Sequence, residues 1–297
     1  VIFVMNHRSN IDYVLVTHLA ANRSALSYAV GEWAQVWPLS QLIRAMGAYF
    51  IRRKSRDALY RKVLRRYVQM ATSGGVTQAI FPEGGLSLDG ALAEPKVGLL
   101  TYILDDLDLS ARDVVFVPVG LNYDRVLEDK VLTKAGQSGT RRFDASVSRV
   151  IRGLFRQVWL RVTGRFHRFG YAAVSFGAPL SLKANASLVG DAPGLAQELM
   201  SRIAGIVPVL PVPLVAYLLM RGPQSRADLE TACSAALDKL PDAHVHLPRK
   251  SRDYAVEVGL RALVERGIVQ EVDGSFAVVP DQAVLASYYA RSIEHLF

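Results

Sequence analysis

Short apolar runs alternate with longer amphipathic stretches along the first 180 residues of the chain. Runs of β-branched residues bounded by Gly, Pro or charge are typical of buried strands, whereas apolar positions at helical spacing indicate helices. The pattern predicts strands over 1–5, 25–30, 48–52, 78–81, 114–121 and 172–176. It predicts helices over 57–73, 96–105 and 141–165. Alternating strands and helices indicate an α/β fold.

The stretch 57–73 separates apolar from basic positions. On a helix its apolar side chains fall on one side, namely Leu59, Val63, Leu64, Tyr67 and Met70. Its basic side chains fill the other side, namely Arg61, Lys62, Arg65 and Arg66. We therefore predict an amphipathic helix here.

The pattern changes after residues 181–195, a stretch rich in small residues and turn formers that we interpret as a linker. Residues 203–220 are nearly all apolar, but they contain Pro208, Pro211 and Pro213. Because each proline removes an amide donor and clashes with the preceding turn, a buried helix starting near Pro213 is favoured over a membrane span.

The last part of the chain is mostly helical in pattern. Amphipathic helices are predicted over 225–240 and 252–266, and an Asp-Gly turn at 273–274 joins two β-rich runs into a hairpin. Two helices followed by a hairpin resemble a small winged-helix unit. We therefore expect an α/β domain over 1–190 and a smaller, mostly helical domain over 191–297.

Composition narrows the classes of partner and site. The chain has 297 residues, 51% of them hydrophobic, and a formal net charge of +8. A basic balance favours anionic partners such as nucleic acid, acidic lipid headgroups or phosphorylated substrates. The single cysteine, Cys233, excludes an internal disulfide and a cysteine zinc site. No carboxylate cluster has ligand spacing, so no metal is expected. Because the chain starts inside a strand-like run without Met, we expect a piece of a longer protein.

A histidine and an aspartate follow the first predicted strand. They are His7 and Asp12, in the run NHRSNID. This places an imidazole near the start of a predicted helix, beside a carboxylate that can orient it, as a general base requires. The spacing alone is a weak signal, so its weight depends on the segments downstream.

Three later segments complete a pattern: GAYFIRR at 47–53, IFPEGGLS at 80–87 and VFVPVGLNY at 115–123. Together with NHRSNID, in this order and spacing, they resemble the four signature blocks of the glycerolipid acyltransferases. The Glu-Gly-Gly triplet and the C-terminal segment 283–296 make the chain similar, over essentially its whole length, to the bacterial-type glycerol-3-phosphate acyltransferases.

This resemblance implies a mixed central sheet flanked by helices, and it implies a reaction. A fatty acyl group would pass from acyl-CoA or acyl-carrier protein to the 1-hydroxyl of glycerol 3-phosphate, giving lysophosphatidate in phospholipid biosynthesis, without a cofactor. Acylation of lysophosphatidate or of dihydroxyacetone phosphate is the alternative. The substrate hydroxyl can attack the thioester directly, so no enzyme nucleophile is required.

The candidate catalytic residues are His7 and Asp12. His7 would take the proton of the acceptor hydroxyl, and Asp12 would hold the tautomer and stabilise the imidazolium that develops. An arginine at a strand end can grip a phosphate bidentately, and the resemblance favours Arg52 for this contact. It also implies that Glu83 helps hold the glycerol phosphate. The other substrate-binding candidates are Arg8, Ser9, Gly84, Gly85, Ser87 and Pro118, with Pro118 expected to end its strand.

The third block departs from the family pattern. The family commonly continues Glu-Gly-Gly with Arg-Ser-Arg, whereas this chain has Leu86, Ser87 and Leu88. Two cations that would meet the acceptor phosphate are therefore missing. Either the acceptor differs, or Arg8, Arg52 and Lys96 supply the charge.

Residues 141–168 combine apolar positions at helical spacing with arginines between them, among which are Arg149, Arg152, Arg156, Arg161 and Arg165. Such a helix either lies on an anionic bilayer surface or packs on the core with a solvated basic face. Because a long acyl product has to reach lipid, we expect membrane association at the cytoplasmic face, with 141–168 as a candidate contact.

A non-catalytic nucleic-acid-binding protein is the alternative from another class, motivated by the basic charge and the winged-helix-like unit. Acidic residues are dispersed among the bases of that unit, which has no basic recognition face. Nucleic acid is therefore not the expected partner.

Overall fold

A computed structural model describes residues 1–20, 26–31, 39–45, 47–51, 57–139, 170–241 and 244–297. The strands are β1 Ile2–Met5, β2 Ser27–Gly31, β3 Ala48–Ile51, β4 Gln78–Ile80, β5 Val115–Tyr123, β6 Ala172–Phe176, β7 Leu180–Ser181, β8 Gln224–Ser225, β9 Val269–Val272 and β10 Ser275–Val278. The helices are α1 Asp12–Ala20, α2 Leu39–Ala45, α3 Ala58–Ser73, α4 Gly98–Leu104, α5 Asp129–Ser138, α6 Ala192–Ala204, α7 Pro211–Leu219, α8 Arg226–Leu237, α9 Arg252–Glu265 and α10 Ala283–Ala290.

All six predicted strands of the N-terminal part are present, with ends within two residues of their predicted positions. The predicted helices over 57–73, 96–105, 225–240 and 252–266 are also present, and a buried helix starts at Pro211. The predicted helix over 141–165 and the candidate residue Arg52 lie outside the described residues. None of the described helices is both long enough and apolar enough to cross a bilayer.

The central sheet is mixed, as expected. Its order is β3-β2-β4-β1-β5-β6, and β7 pairs with the other part of β5. The first five strands of this order are parallel, whereas β6 and β7 run antiparallel to β5. In β1, Ile2 and Val4 enter one hydrophobic cluster and Met5 enters the cluster on the other face, as strand alternation requires. The carboxyl ends of the parallel strands therefore meet at one edge.

The stretch interpreted as a linker is largely structured. It contains the end of β7, a 3-10 turn over Ala186–Leu188 and the start of α6. Leu182 and Leu195 are fully buried, and both belong to the larger hydrophobic cluster, which includes Val4 of β1 and Tyr288 of α10. Leu182 and Leu195, near the two ends of this stretch, are thus anchored in a core that extends across residue 190. The division into two domains stays a prediction.

The C-terminal part forms the winged-helix-like unit that the pattern predicts. α7, β8, α8 and α9 precede the β9–β10 hairpin, and the small sheet has the order β8-β10-β9. Asp273 and Gly274 have φ angles of 50° and 75°, as a two-residue hairpin turn with positive φ at both central positions requires. α10 follows the hairpin and packs against α7 and α5.

Helix α3 has its predicted extent, but four of the five apolar residues predicted on one side face outward, and only Leu64 packs against the core. An apolar helix face normally packs against a core. Here the buried residues of α3 are Val68, Gln69 and Thr72. The exposed fractions are 70% for Leu59, 59% for Val63, 45% for Tyr67 and 60% for Met70. The helix is turned this way because its other side packs on α4 and pairs Arg65 with Asp105.

Candidate active site

The loop that follows β1 carries the first candidate residues. β1 lies between β4 and β5, so the loop leaves the sheet at the edge where these parallel strands end. The Asn6 side chain fixes the start of the loop, because its Nδ2 donates to the Leu121 carbonyl at 2.9 Å and its Oδ1 accepts from the Leu121 amide at 2.7 Å. His7 is therefore presented from a backbone that is clamped to β5.

His7 and Asp12 are in direct contact. Asp12 is the first residue of α1, and its Oδ2 lies 2.9 Å from His7 Nδ1. The same oxygen accepts from the amides of Arg8 at 2.7 Å and Ser9 at 3.0 Å. A proton on Nδ1 leaves the Nε2 lone pair of a neutral imidazole free to accept another. The pair therefore has the geometry of an oriented general base.

Tyr123 belongs to this network, although the sequence did not single it out. It is the last residue of β5, and its hydroxyl donates to Asp12 Oδ1 at 2.6 Å. Burial, and after it the Asp12 carboxylate, raise the pKa of Tyr123, so the phenol keeps the proton that it donates. The fully buried Asp12 carboxylate thus has donors at both oxygens, which compensate for its removal from water. A polar residue at the end of β5 was the available signal.

Glu83 joins the first and third blocks. It follows β4, and its Oε1 accepts from the His7 amide at 2.8 Å while its Oε2 accepts from the Ala93 amide at 3.0 Å. Burial raises the pKa of Glu83, and the two backbone donors oppose that rise. Both Glu83 carboxylate oxygens therefore accept hydrogen bonds from backbone amides, and one of these bonds positions His7.

Gly84 brings a cation to the third block. Its φ of 65° lies in the left-handed region, which favours glycine. A Cβ on Gly84 would lie 2.8 Å from Lys96 Cδ and 3.2 Å from Lys96 Nζ. The Lys96 amide also donates to the Pro82 carbonyl at 2.8 Å, which fixes its backbone beside the turn. Lys96 is exposed, and its ammonium lies against the Glu-Gly-Gly turn.

The rest of the third block holds the loop together. Gly85 is buried, and the Ser87 amide donates to the His7 carbonyl at 3.0 Å. Ser87 Oγ donates to the Ala91 carbonyl at 2.8 Å and accepts from the Gly90 amide at 3.0 Å. Leu86 and Leu88, where the family commonly has cations, pack against the larger hydrophobic cluster.

Arg8 reaches from the first block to the C-terminal helix. The residue is buried, its Nη1 donates to the Gly90 carbonyl, and its guanidinium carbon lies 4.9 Å above the ring of Tyr288 in α10. Among the described residues its Nε and Nη2 find no hydrogen-bond partner. A Cβ on Gly90 would meet the Tyr288 carbonyl oxygen at 1.9 Å, so this loop and α10 are in close contact.

The side chains of Ser9 and Pro118 are not part of the His7–Asp12 contact. The Ser9 hydroxyl donates to Glu128 Oε2 at 2.8 Å, and Glu128 Oε1 accepts from the Asn10 side chain at 2.9 Å. The expectation that Pro118 ends its strand is wrong, since β5 continues to Tyr123. Pro118 lies where the partner of β5 changes from β7 to β6, so its missing amide removes no ladder bond that the adjacent strand pairs use.

The imidazole is enclosed in this structure. The His7 side chain is 3% exposed, with the Phe81 ring centroid 4.2 Å away and the Tyr13 hydroxyl 3.5 Å from Nε2. An acceptor hydroxyl can therefore reach Nε2 only after the covering side chains move. Within the described ranges, no group of three or more His, Cys, Asp or Glu side chains has the arrangement of a metal site.

Two family models match the chain. Residues 1–122 match the model described as Acyltransferase, and residues 157–297 match the model of the Glycerol-3-phosphate acyltransferase C-terminal region. The first match contains the His7, Asp12 and Glu83 network, and the second contains α10 with Tyr288. The resemblance inferred from the four blocks and the C-terminal segment is thereby confirmed.

Curated relatives match the full chain. Proteins named glycerol-3-phosphate acyltransferase are 29% identical in Xylella fastidiosa strain M12, over 335 residues, and 29% identical in Aeromonas hydrophila, over 332 residues. These matches cover 100% of this chain but only 37% and 39% of those proteins. The chain thus spans less than half the length of these relatives.

The 1-acyl-sn-glycerophosphate (LPA) acyltransferase PlsC from Thermotoga maritima is a solved structure that also matches. It is 17% identical, the match covers 67% of this chain and 65% of that chain, and the TM-score is 0.36. A similarity at this score supports no argument about the site.

Proposed function

We propose that this chain is the catalytic region of a glycerol-3-phosphate acyltransferase that makes lysophosphatidate for phospholipid biosynthesis. The carrying observation is the buried His7–Asp12 pair, held through the His7 amide by Glu83 at the carboxyl edge of the sheet. Three of the four sequence blocks supply this network: the first, the third and, through Tyr123, the fourth. The relatives that match the whole of this chain are named glycerol-3-phosphate acyltransferase, which supports glycerol 3-phosphate as the acceptor.

In the proposed reaction, His7 acts as the general base for acyl transfer. His7 Nε2 takes the proton of the acceptor 1-hydroxyl while the hydroxyl oxygen attacks the thioester carbonyl of acyl-CoA or acyl-carrier protein. Asp12 stabilises the imidazolium that forms. A carbon–oxygen bond is made, the carbon–sulfur bond breaks, and the imidazolium returns its proton to the departing thiolate. Base assistance of this kind typically contributes ~10²–10⁴-fold to the rate.

Lys96 and Arg8 are the proposed source of positive charge for the acceptor phosphate. With Leu86 and Leu88 packed against the core, the third block itself offers no cation between residues 83 and 88. The Lys96 ammonium lies against Gly84, and Arg8 has two buried nitrogen atoms without a partner in the described part of the chain. Arg52 is a further candidate by resemblance only.

The test uses the full-length protein in lipid with a labelled acyl-CoA, offering glycerol 3-phosphate, lysophosphatidate and dihydroxyacetone phosphate separately. We expect product from glycerol 3-phosphate, and we expect His7→Ala to lower kcat by about 10²–10⁴-fold. His18→Ala, in α1 and outside the Asp12 network, is the matched control. Undiminished turnover by a folded His7→Ala variant contradicts the mechanism, and product from lysophosphatidate alone contradicts the acceptor.

A further inference from the structure

The outward stripe of α3 is the surface that the proposed site does not use. It consists of Leu59, Val63, Tyr67 and Met70, which recur at helical spacing and are all exposed. Single exposed apolar residues are ordinary on a protein surface, but a continuous stripe along one helix usually marks an interaction surface. We therefore expect a binding partner to cover these four side chains.

Charge limits what that occupant can be. α3 has four basic residues and no acidic residue within Ala58–Ser73. Arg65 is paired with Asp105 on the side that faces α4, whereas Lys62 and Arg66 are exposed and lie on the flank of the stripe. Apolar side chains beside cations, with a tyrosine at the margin, match the boundary between acyl chains and anionic headgroups.

The position of α3 relates this surface to the site. β3 runs parallel to β1, so the carboxyl end of β3 lies at the sheet edge where His7 is presented. α3 connects β3 to β4 in this parallel sheet, and Tyr67 packs on Tyr49 of β3 with the ring centroids 4.9 Å apart. The helix therefore runs back along the sheet, and its first turn, with Leu59, lies toward the edge where β3 ends. A bilayer in contact with the first turn of the stripe would thus lie near the sheet edge where His7 is presented.

We propose that the α3 stripe is a docking surface for an anionic lipid bilayer, with Leu59, Val63 and Met70 entering the interface and Lys62 and Arg66 contacting lipid phosphates. This inference rests on the proposed function, because the lipid product gives the enzyme its reason to bind a bilayer. It assigns the contact to α3, in contrast to the expectation from sequence that placed it at 141–168.

Binding of the full-length protein to vesicles tests the surface without reference to catalysis. The apolar variant is Leu59→Ser, Val63→Ser and Met70→Ser together. Its matched control replaces three exposed valines on other helices, Val131→Ser, Val264→Ser and Val284→Ser. With vesicles containing phosphatidylglycerol, we expect the apolar variant to lose at least about tenfold in partition coefficient and the control variant to change little.

A second variant separates charge from apolar burial. Lys62→Gln with Arg66→Gln removes two exposed cations spaced four residues apart, and Lys130→Gln with Lys134→Gln on α5 is the control with the same spacing. We expect the α3 pair to lower binding to phosphatidylglycerol vesicles by about 25-fold, a factor of about five for each cation. Binding to vesicles of phosphatidylcholine alone should change little.

Each outcome decides the proposal. Unchanged partitioning of a folded apolar variant overturns it. A lower melting temperature or an altered oligomeric state, with partitioning unchanged, also overturns it and assigns the stripe to another part of the protein or to a second copy. Acyl transfer to glycerol 3-phosphate is measured in parallel, in detergent and with a short-chain donor. If wild type makes no product, the proposed function is contradicted, whereas the docking surface is still tested by vesicle binding.

Discussion

Asp12→Asn removes one charge from the active site and keeps three of the four hydrogen bonds that Asp12 accepts. In wild type, Asp12 Oδ2 accepts from the amides of Arg8 and Ser9 and from His7 Nδ1, while Oδ1 accepts from the Tyr123 hydroxyl. An asparagine with its carbonyl oxygen in the Oδ2 position keeps the first three bonds. Its amide nitrogen can then donate to the Tyr123 oxygen, because a phenol both donates and accepts. The fold should therefore persist.

The loss of the Asp12 charge should raise the free energy of the transition state. Opposite unit charges about 4 Å apart attract by about 4 kcal/mol at an effective dielectric constant of about 20. The imidazolium exists only after His7 has taken the acceptor proton, so this attraction stabilises the transition state and not the ground state. Its removal should lower kcat by about 10³-fold, at about 1.4 kcal/mol for each tenfold.

The assay measures kcat with saturating acceptor and labelled acyl-CoA, beside the free energy of unfolding in urea. We expect the free energy of unfolding to fall by about 1–3 kcal/mol, since the buried Tyr123 hydroxyl loses the acceptor of its proton while the other three bonds remain. Asp238→Asn is the control, because this exposed carboxylate contacts Arg252 and not His7. A decrease in kcat of less than tenfold in a folded Asp12→Asn variant would refute the electrostatic role of Asp12.

Two further predictions concern Lys96 and Asp124. Lys96→Ala should raise KM for glycerol 3-phosphate at least about tenfold, because a hydrogen bond to a charged group contributes ~1.5–3 kcal/mol. Lys96→Arg keeps the positive charge and should retain most of the affinity. An unchanged KM in Lys96→Ala would exclude a contact between Lys96 and the acceptor phosphate. Burial raises the pKa of Asp124 from 3.8 to about 6, although the Val212 and Tyr171 amides donate to its carboxylate. The contribution of Asp124 to the free energy of unfolding is therefore complete below pH 3.8 and is lost as pH rises through about 6. Urea unfolding from pH 4 to pH 7 should show wild type losing on the order of 3 kcal/mol relative to Asp124→Asn, and parallel curves would contradict the shifted pKa.

The local pattern of the chain predicts its elements because the strongest local signals agree with the tertiary context. The apolar runs of β1 and β5 are buried on both faces of a sheet, so they appear in the sequence as continuous hydrophobic strands. The Asp273-Gly274 turn was predictable because positive φ at both positions is a local requirement. The His7–Asp12 contact was predictable for a similar reason, since the two residues are separated by a single loop.

Other features depend on groups that are distant in the chain. Tyr123 reaches Asp12 across 111 positions, and Glu83 reaches the His7 amide across 76, so no local pattern reports either bond. The Pro118 expectation failed because a proline is tolerated inside β5 where its strand partner changes, which only the sheet topology shows.

The sequence by itself determined the six strands of the N-terminal part, the helices α3, α4, α8 and α9 and the C-terminal hairpin, and it identified His7 and Asp12 as the base and its acid partner. It did not predict α2, α5 or α6. Only the tertiary structure decided which way α3 faces, because helical periodicity separates apolar from basic residues without stating which side meets the core. Burial of Val68 and the pairing of Arg65 with Asp105 settle that orientation, and both depend on packing against α4. The tertiary structure likewise decided that Leu86 and Leu88 point to the core, leaving Lys96 as the cation beside the Glu-Gly-Gly turn among the described residues 83–96.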